Sequence, residues 1–131
     1  MDIYLNPSAL FPGAAVNTLL LFVPKRRLQV KEISVILRGK EVVHKGEGQK
    51  RTTQRHTFFE EEYFMSGAQD VHQGQLVQTS VSFTLDGDAP LSFHAKDNEI
   101  IWELDYIIKL EHWPDWKRTR YLVIGPPTPE S

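Results

Sequence analysis

From Val77 to Leu85 the chain alternates. Val77, Thr79, Val81, Phe83 and Leu85 share one face, and Gln78, Ser80, Ser82 and Thr84 share the other. Successive side chains of a strand point to opposite faces, so this segment predicts a half-buried strand. Trp102, Leu104, Tyr106, Ile108 and Leu110 line one face of a second strand, opposite Glu103, Asp105, Lys109 and Glu111. Ile101 and Ile107 interrupt that polar face, which predicts that it is only partly solvated. Val16–Val23 is apolar on both faces and reads as a buried strand. In Leu28–Leu37 the apolar positions begin even (Leu28, Val30) and finish odd (Ile33, Val35, Leu37). A one-residue phase change of this kind is what a β-bulge produces, so a bulge is expected near Lys31–Glu32. Thr52–Phe64 and Tyr121–Ile124 complete the strand set. On the former, Thr57, Phe59 and Tyr63 are expected on one face, with Phe58 and Phe64 on the other.

The segments between these runs, among them NPSALFPG, VPKRR, RGKE, KGEGQK, SGAQDVHQGQ and DGDAP, carry the Gly, Pro and Asp that turns require. No sustained 3.6-residue apolar stripe predicts a substantial helix. Several strands separated by turns in one small chain point to an all-β fold, a two-sheet antiparallel sandwich. A single domain is expected over residues 1–125, with 126–131 (PPTPES) a flexible Pro-rich tail or the start of a linker.

Composition narrows the function classes. The chain has 131 residues, 40% hydrophobic and 24% charged, with a net charge of −2. That size supports a core of its own, and the charge balance gives no electrostatic reason to expect nucleic acid. The absence of cysteine excludes disulfide and thiolate chemistry and suits a reducing, cytoplasmic location. The apolar run Leu19–Val23 is far shorter than the ~20 residues a spanning helix needs, so the membrane contact open to the chain is peripheral.

In chain order, four features resemble the N-terminal domain of the arrestin-like family. They are the Phe11-Pro12-Gly13 turn before Val16–Val23, the segment LQVKEISVILRGKEVV, the aromatic HTFFEEEYFMSG, and GQLVQTSVSFTLDGDAPLSF followed by NEIIWELDYIIKL. The resemblance covers Leu5 to Leu110 and is most specific over Val81–Phe93 and Ile100–Leu110. It implies an immunoglobulin-like sandwich that serves as an interaction scaffold. The arrestin-like sporulation-control proteins of microbes and the retromer cargo-adaptor subunit are the nearer analogues. Arrestins proper carry two such sandwiches, and their buried ion-pair set has no counterpart located in this chain.

The candidate site residues fall in three groups. Lys25, Arg26 and Arg27, with Arg51 and Arg55, cluster positive charge at strand ends; they are either solvated turns or one patch for an anionic partner. Arrestin-like relatives imply the second use. In HWPDW, Pro114 must end a strand or place it at an edge. Trp113 and Trp116 then either plug the open end of the sandwich, with Asp115 shaping the turn, or form an aromatic platform. Within Glu60-Glu61-Glu62, Glu61 lies on the face of Phe59 and Tyr63, as the defence of an edge strand or as a buried acid paired with an arginine. The five histidines show no metal-ligand spacing, and no nucleophile elbow or phosphate loop is present.

These features predict a non-catalytic, cytoplasmic interaction module without cofactor or metal. It would bind a protein or peptide partner, in one form an anionic one, by a sheet face or an added strand. A saccharide-binding sandwich using Trp113 and Trp116 is the alternative. Ile107–His112 is expected to be the less protected edge, and a homodimer would pair there or through the adjacent sheet face of Trp102.

Overall fold

The alternation does become strands, and their order explains which faces are buried. A computed structural model describes residues 1–7 and 9–126. Among these it contains nine strands: β1 (Asp2–Asn6), β2 (Ala15–Phe22), β3 (Leu28–Lys45), β4 (Thr52–Ser66), β5 (Gln69–Val71), β6 (Val77–Thr84), β7 (Phe93–His94), β8 (Asn98–Leu110) and β9 (Trp116–Leu122). A short 3-10 turn, Gly48–Lys50, precedes β4. One sheet has the order β1-β2-β6. The other runs β4-β3-β8-β7, with β5 also on β3 and β9 also on β8. The expected tail at 126–131 lies, beyond Pro126, outside the described residues.

All the strand pairs are antiparallel, so the fold is the expected two-sheet antiparallel sandwich. Val16, Leu20 and Phe22 of β2 and Phe83 of β6 meet Val35 and Leu37 of β3 and Leu104, Tyr106 and Ile108 of β8 in one buried core. The phase change in β3 is a register shift against β8 between Val30 and Glu32 that leaves Lys31 unpaired. One extra residue moves the following apolar set to the core face. The Pro12-Gly13 turn closes through the Ala14 amide donating to the Phe11 carbonyl, 3.0 Å. Gly13 sits there at φ 86°, the left-handed value that the third residue of such a turn requires.

Four expectations need correction. RGKE is not a turn, because β3 runs straight through Arg38–Glu41 to Lys45. Gly39 is there because a Cβ would stand 2.7 Å from Phe58 Cζ and 2.9 Å from Trp102 Cη2; the missing side chain is the space these rings fill. Phe58 and Phe59 do not split between faces. A bulge opposite Gly39/Lys40 leaves Phe58 unpaired, and both rings reach Trp102, at 5.4 and 5.7 Å. By the same bulge Thr57 pairs Lys40 and Phe59 pairs Gly39, so those two lie on opposite faces.

The third correction concerns the edges. Ile107 and Ile108 are interior, paired with β3 on one side and β9 on the other, whereas Lys109 and Leu110 pair with β3 alone, so the edge expected over Ile107–His112 is open only beyond Ile108. The strands paired on one side only are β1 and β6 in the small sheet and β4 and β9 in the large one, together with the short β5 and β7. On β4, Glu61 stands exposed between Phe59 and Tyr63, in the position of an edge-strand defence. The fourth is that β1 and the β9 segment from Trp116 to Arg120 are strands that the pattern did not announce.

Candidate functional site: the seam between β1 and β9

The basic clusters do not converge. Lys25, Arg26 and Arg27 occupy the β2–β3 turn, whereas Arg51 and Arg55 lie at the far end of β3, where Arg55 pairs Val42. At about 3.3 Å per residue, the 18 residues of β3 separate them by roughly 50 Å. Arg51 donates to the Lys96 carbonyl at 2.6 Å and pairs with Asp97 at 3.6 Å. Arg27 forms a forked pair with Asp70. That bonding raises the guanidinium above its ordinary range and holds the Asp70 carboxyl below its own. Arg26 lies over the Trp113 ring, 4.6 Å from its centre.

The two tryptophans take different roles. Trp116, itself more than a third exposed, makes a T-shaped contact with the core residue Phe22, ring centres 6.0 Å apart. Trp113 stands half exposed under Arg26. Asp115 accepts a hydrogen bond from the Leu110 amide at 3.3 Å, which shapes the turn as expected. Sequence spacing hid one pairing among the histidines. His44 Nε2 and His94 Nδ1 flank Glu99 at 3.5 and 3.1 Å, and the His94 and His44 bonds hold its carboxyl below the ordinary range despite some desolvation. Among the described residues no group of three or more His, Asp or Glu is arranged to hold a metal.

The sandwich closes differently along its two long sides. Between β4 and β6, Tyr63 and Phe83 stack at 4.5 Å with an 11° interplanar angle, and Thr79 Oγ1 donates to the Met65 carbonyl at 3.1 Å. Between β1 and β9 arginines stand instead. The register opposes Arg120 to Leu104 and Arg118 to Tyr106, and opposed residues share a face, so both guanidiniums project into the gap between the sheets. Arg120 Nη1 donates to the Ile3 carbonyl at 2.9 Å, and Arg118 Nη1 donates to the Met1 carbonyl.

The result is an open groove of about 390 Å³ lined by Met1–Tyr4 and Arg118–Arg120. Six of the seven β9 residues are exposed. Behind the groove the Tyr106 hydroxyl meets that of Thr18, which donates to the Tyr4 carbonyl at 3.2 Å. This buried relay ties β1 to the large sheet. Burial raises the Tyr106 phenol above its usual range, against the lowering effects of Thr18 and Arg120. Chemically, the groove offers two strand edges, each laddered on one side only, and two guanidiniums bonded to β1 carbonyls, a set suited to an extended anionic segment.

Arg118 and Arg120 were missed in the sequence. The available signal was the period-two reading of Trp116, Arg118, Arg120 and Leu122, which puts two arginines in an inward row.

No family model and no curated protein sequence matches the chain. Among solved structures it is similar to Spo0M, the sporulation control protein of Bacillus subtilis, at a TM-score of 0.72 and 16% identity over 94% of this chain. The match covers 47% of Spo0M, so the chain spans about half of that protein. A family 123 glycoside hydrolase from Clostridium perfringens, described for glycolipid glycan hydrolysis, matches at a TM-score of 0.51 and 6% identity, over 90% of this chain and 22% of the enzyme. These likenesses establish the fold, an all-β sandwich of the arrestin-like kind.

Proposed function

We propose that the chain is a non-catalytic, cytoplasmic interaction module that takes an extended acidic peptide segment of a partner protein into the β1–β9 seam. One observation carries this reading: two sheet edges, each paired on one side only, face each other across a gap held by Arg118 and Arg120. A peptide strand entering there would complete the open ladder of one edge, and its carboxylates would draw the two guanidiniums off the β1 carbonyls. Exchange of a neutral acceptor for a charged one strengthens each bond. Likeness of fold to a sporulation control protein suits a regulatory scaffold of this sort. The saccharide reading is weaker, because Arg26 already covers one face of Trp113 and Trp116 is turned edge-on to Phe22.

The test is fluorescence anisotropy with a labelled peptide of alternating Glu and Val. Binding is expected to fall ~tenfold or more in Arg118→Glu/Arg120→Glu, as loss of charged hydrogen bonds requires, and to weaken with salt. It should also disappear when alternate peptide residues are proline, which cannot join a ladder. Equal binding by the double variant rejects the seam, and equal binding of the proline peptide rejects strand addition.

A further inference from the structure

The end of the sandwich that holds Trp113 is unlike the opposite end. Three loops meet there. Gly74 donates its amide to the Pro24 carbonyl at 3.0 Å, which ties the β5–β6 loop to the β2–β3 turn. Glu111 donates to the Gln29 carbonyl at 2.9 Å, which sets the β8–β9 turn beside the start of β3. Each loop presents a large apolar side chain to solvent: Val23 at 55% exposure, Leu76 at 58% and Trp113 at 50%. Beside them are two shallow pits. One, of about 330 Å³, is floored by Phe22 and Trp116; the other, of about 210 Å³, lies between Leu110 and Trp113. At the far end the β3–β4 and β7–β8 turns are polar and internally paired, through Arg51 with Asp97 and Glu99 with two histidines, and the exposed apolar side chains there, Leu91 and Phe93, lie in the β6–β7 segment.

Charge at this tip is arranged around the apolar side chains. Arg27 is neutralised by Asp70 and Asp115 is turned back onto the Leu110 amide. Lys25 and Arg26, among the described residues, have no carboxylate within ion-pair distance, and Arg26 keeps its guanidinium on the Trp113 face. Val23, Leu76 and Trp113 are each about half exposed, so each has apolar surface left to gain from a medium that takes it in. A half-exposed tryptophan under an arginine, with Lys25 on the same turn and Glu111 and Asp115 on its other side, suits the headgroup level of a bilayer, where its amphipathic ring is at home and lysine and arginine are drawn to anionic lipid.

We infer that this tip docks on an anionic lipid bilayer, with Val23, Leu76 and Trp113 entering the interface and Lys25 and Arg26 against the headgroups. The site adjoins the peptide seam, since Met1 lines both, and would hold a scaffold at a membrane surface without any spanning element. Among the described residues no helix is long and apolar enough to cross one.

The experiment is flotation of the full chain with vesicles of phosphatidylcholine containing one part in four phosphatidylglycerol, against pure phosphatidylcholine, with tryptophan emission recorded on the bound fraction. Binding is expected only with the anionic lipid, with a blue shift that both Trp113→Ala and Trp113→Phe remove, while Trp113→Phe keeps flotation and Trp113→Ala weakens it. Lys25→Glu/Arg26→Glu should lower partitioning by more than tenfold, on the order of fivefold or more for each charge changed. Circular dichroism of each variant checks that the fold persists. Failure to float with anionic vesicles overturns the inference. So does binding unchanged by both variants, or release of the protein by millimolar glycerol phosphate, which would mark a pocket for a soluble phosphate instead of a bilayer.

Discussion

Thr18→Val tests how β1 is held over the seam. Thr18 and Tyr106 are both fully buried, at 0% exposure, and their hydroxyls meet between the sheets. Valine keeps the shape and the β-branch, so no cavity opens and the strand preference is kept. The loss is polar: Tyr106 is left with a buried hydroxyl that has no acceptor, at a cost of about 1–3 kcal/mol. Tyr106→Phe alone is milder, about 0.5–1.5 kcal/mol, because Thr18 still donates to the Tyr4 carbonyl. With both hydroxyls removed, no side-chain donor stays buried and unpaired, so the double variant should cost less than the sum of the singles by about 1 kcal/mol. Urea unfolding followed by circular dichroism reads all three, and each kcal/mol should move Tm by roughly 3–5 °C. Additive costs, within about 0.5 kcal/mol, or a Thr18→Val cost below that figure, would refute the relay as the tie between β1 and the large sheet.

Leu104→Ala, at a fully buried position in the centre of β8, should destabilise by about 2–5 kcal/mol; a urea-derived loss below about 1 kcal/mol would place that face outside the core. Gly39→Ala should lower Tm, because Trp102 is anchored by its indole donating to the Pro90 carbonyl at 2.8 Å and Phe58 must give way. Overpacking costs about 1–3 kcal/mol, against about 0.5–1 regained by removing a strand glycine, and a raised Tm would show that the glycine is not holding space. For Tyr63, burial first and then the neighbouring Glu61 push the phenol from 10.0 to about 12. The folded state therefore keeps its proton where the unfolded chain releases one. Stability from this group is intact below pH 10 and lost as pH rises toward about 12, and Tyr63→Phe should flatten that part of an alkaline unfolding curve.

Much of the architecture was legible because a strand's face is a local property. Val77–Leu85 and Trp102–Leu110 each show their buried side in a period of two, and the phase slip at Lys31 shows where β3 shifts its register. Nothing local, however, says which strand lies beside which. RGKE looked like a turn because a glycine beside charges is usually one, yet Gly39 answers to Phe58 and Trp102, which approach from two other strands. The Trp116–Arg120 part of β9 escaped notice because its inward row carries Arg118 and Arg120, which only make sense at an edge facing β1. The same blindness joined Arg51 and Arg55 to Lys25, Arg26 and Arg27, although a strand of 18 residues holds the two clusters apart. It also gave Trp113 and Trp116 one shared role, while the packing turns Trp116 onto Phe22 and leaves Trp113 in solvent. Periodicity records whether a side chain meets the core. Which edges stay open, and which turns share an end, is set by pairing between segments far apart in the chain, and that became visible only in the tertiary structure.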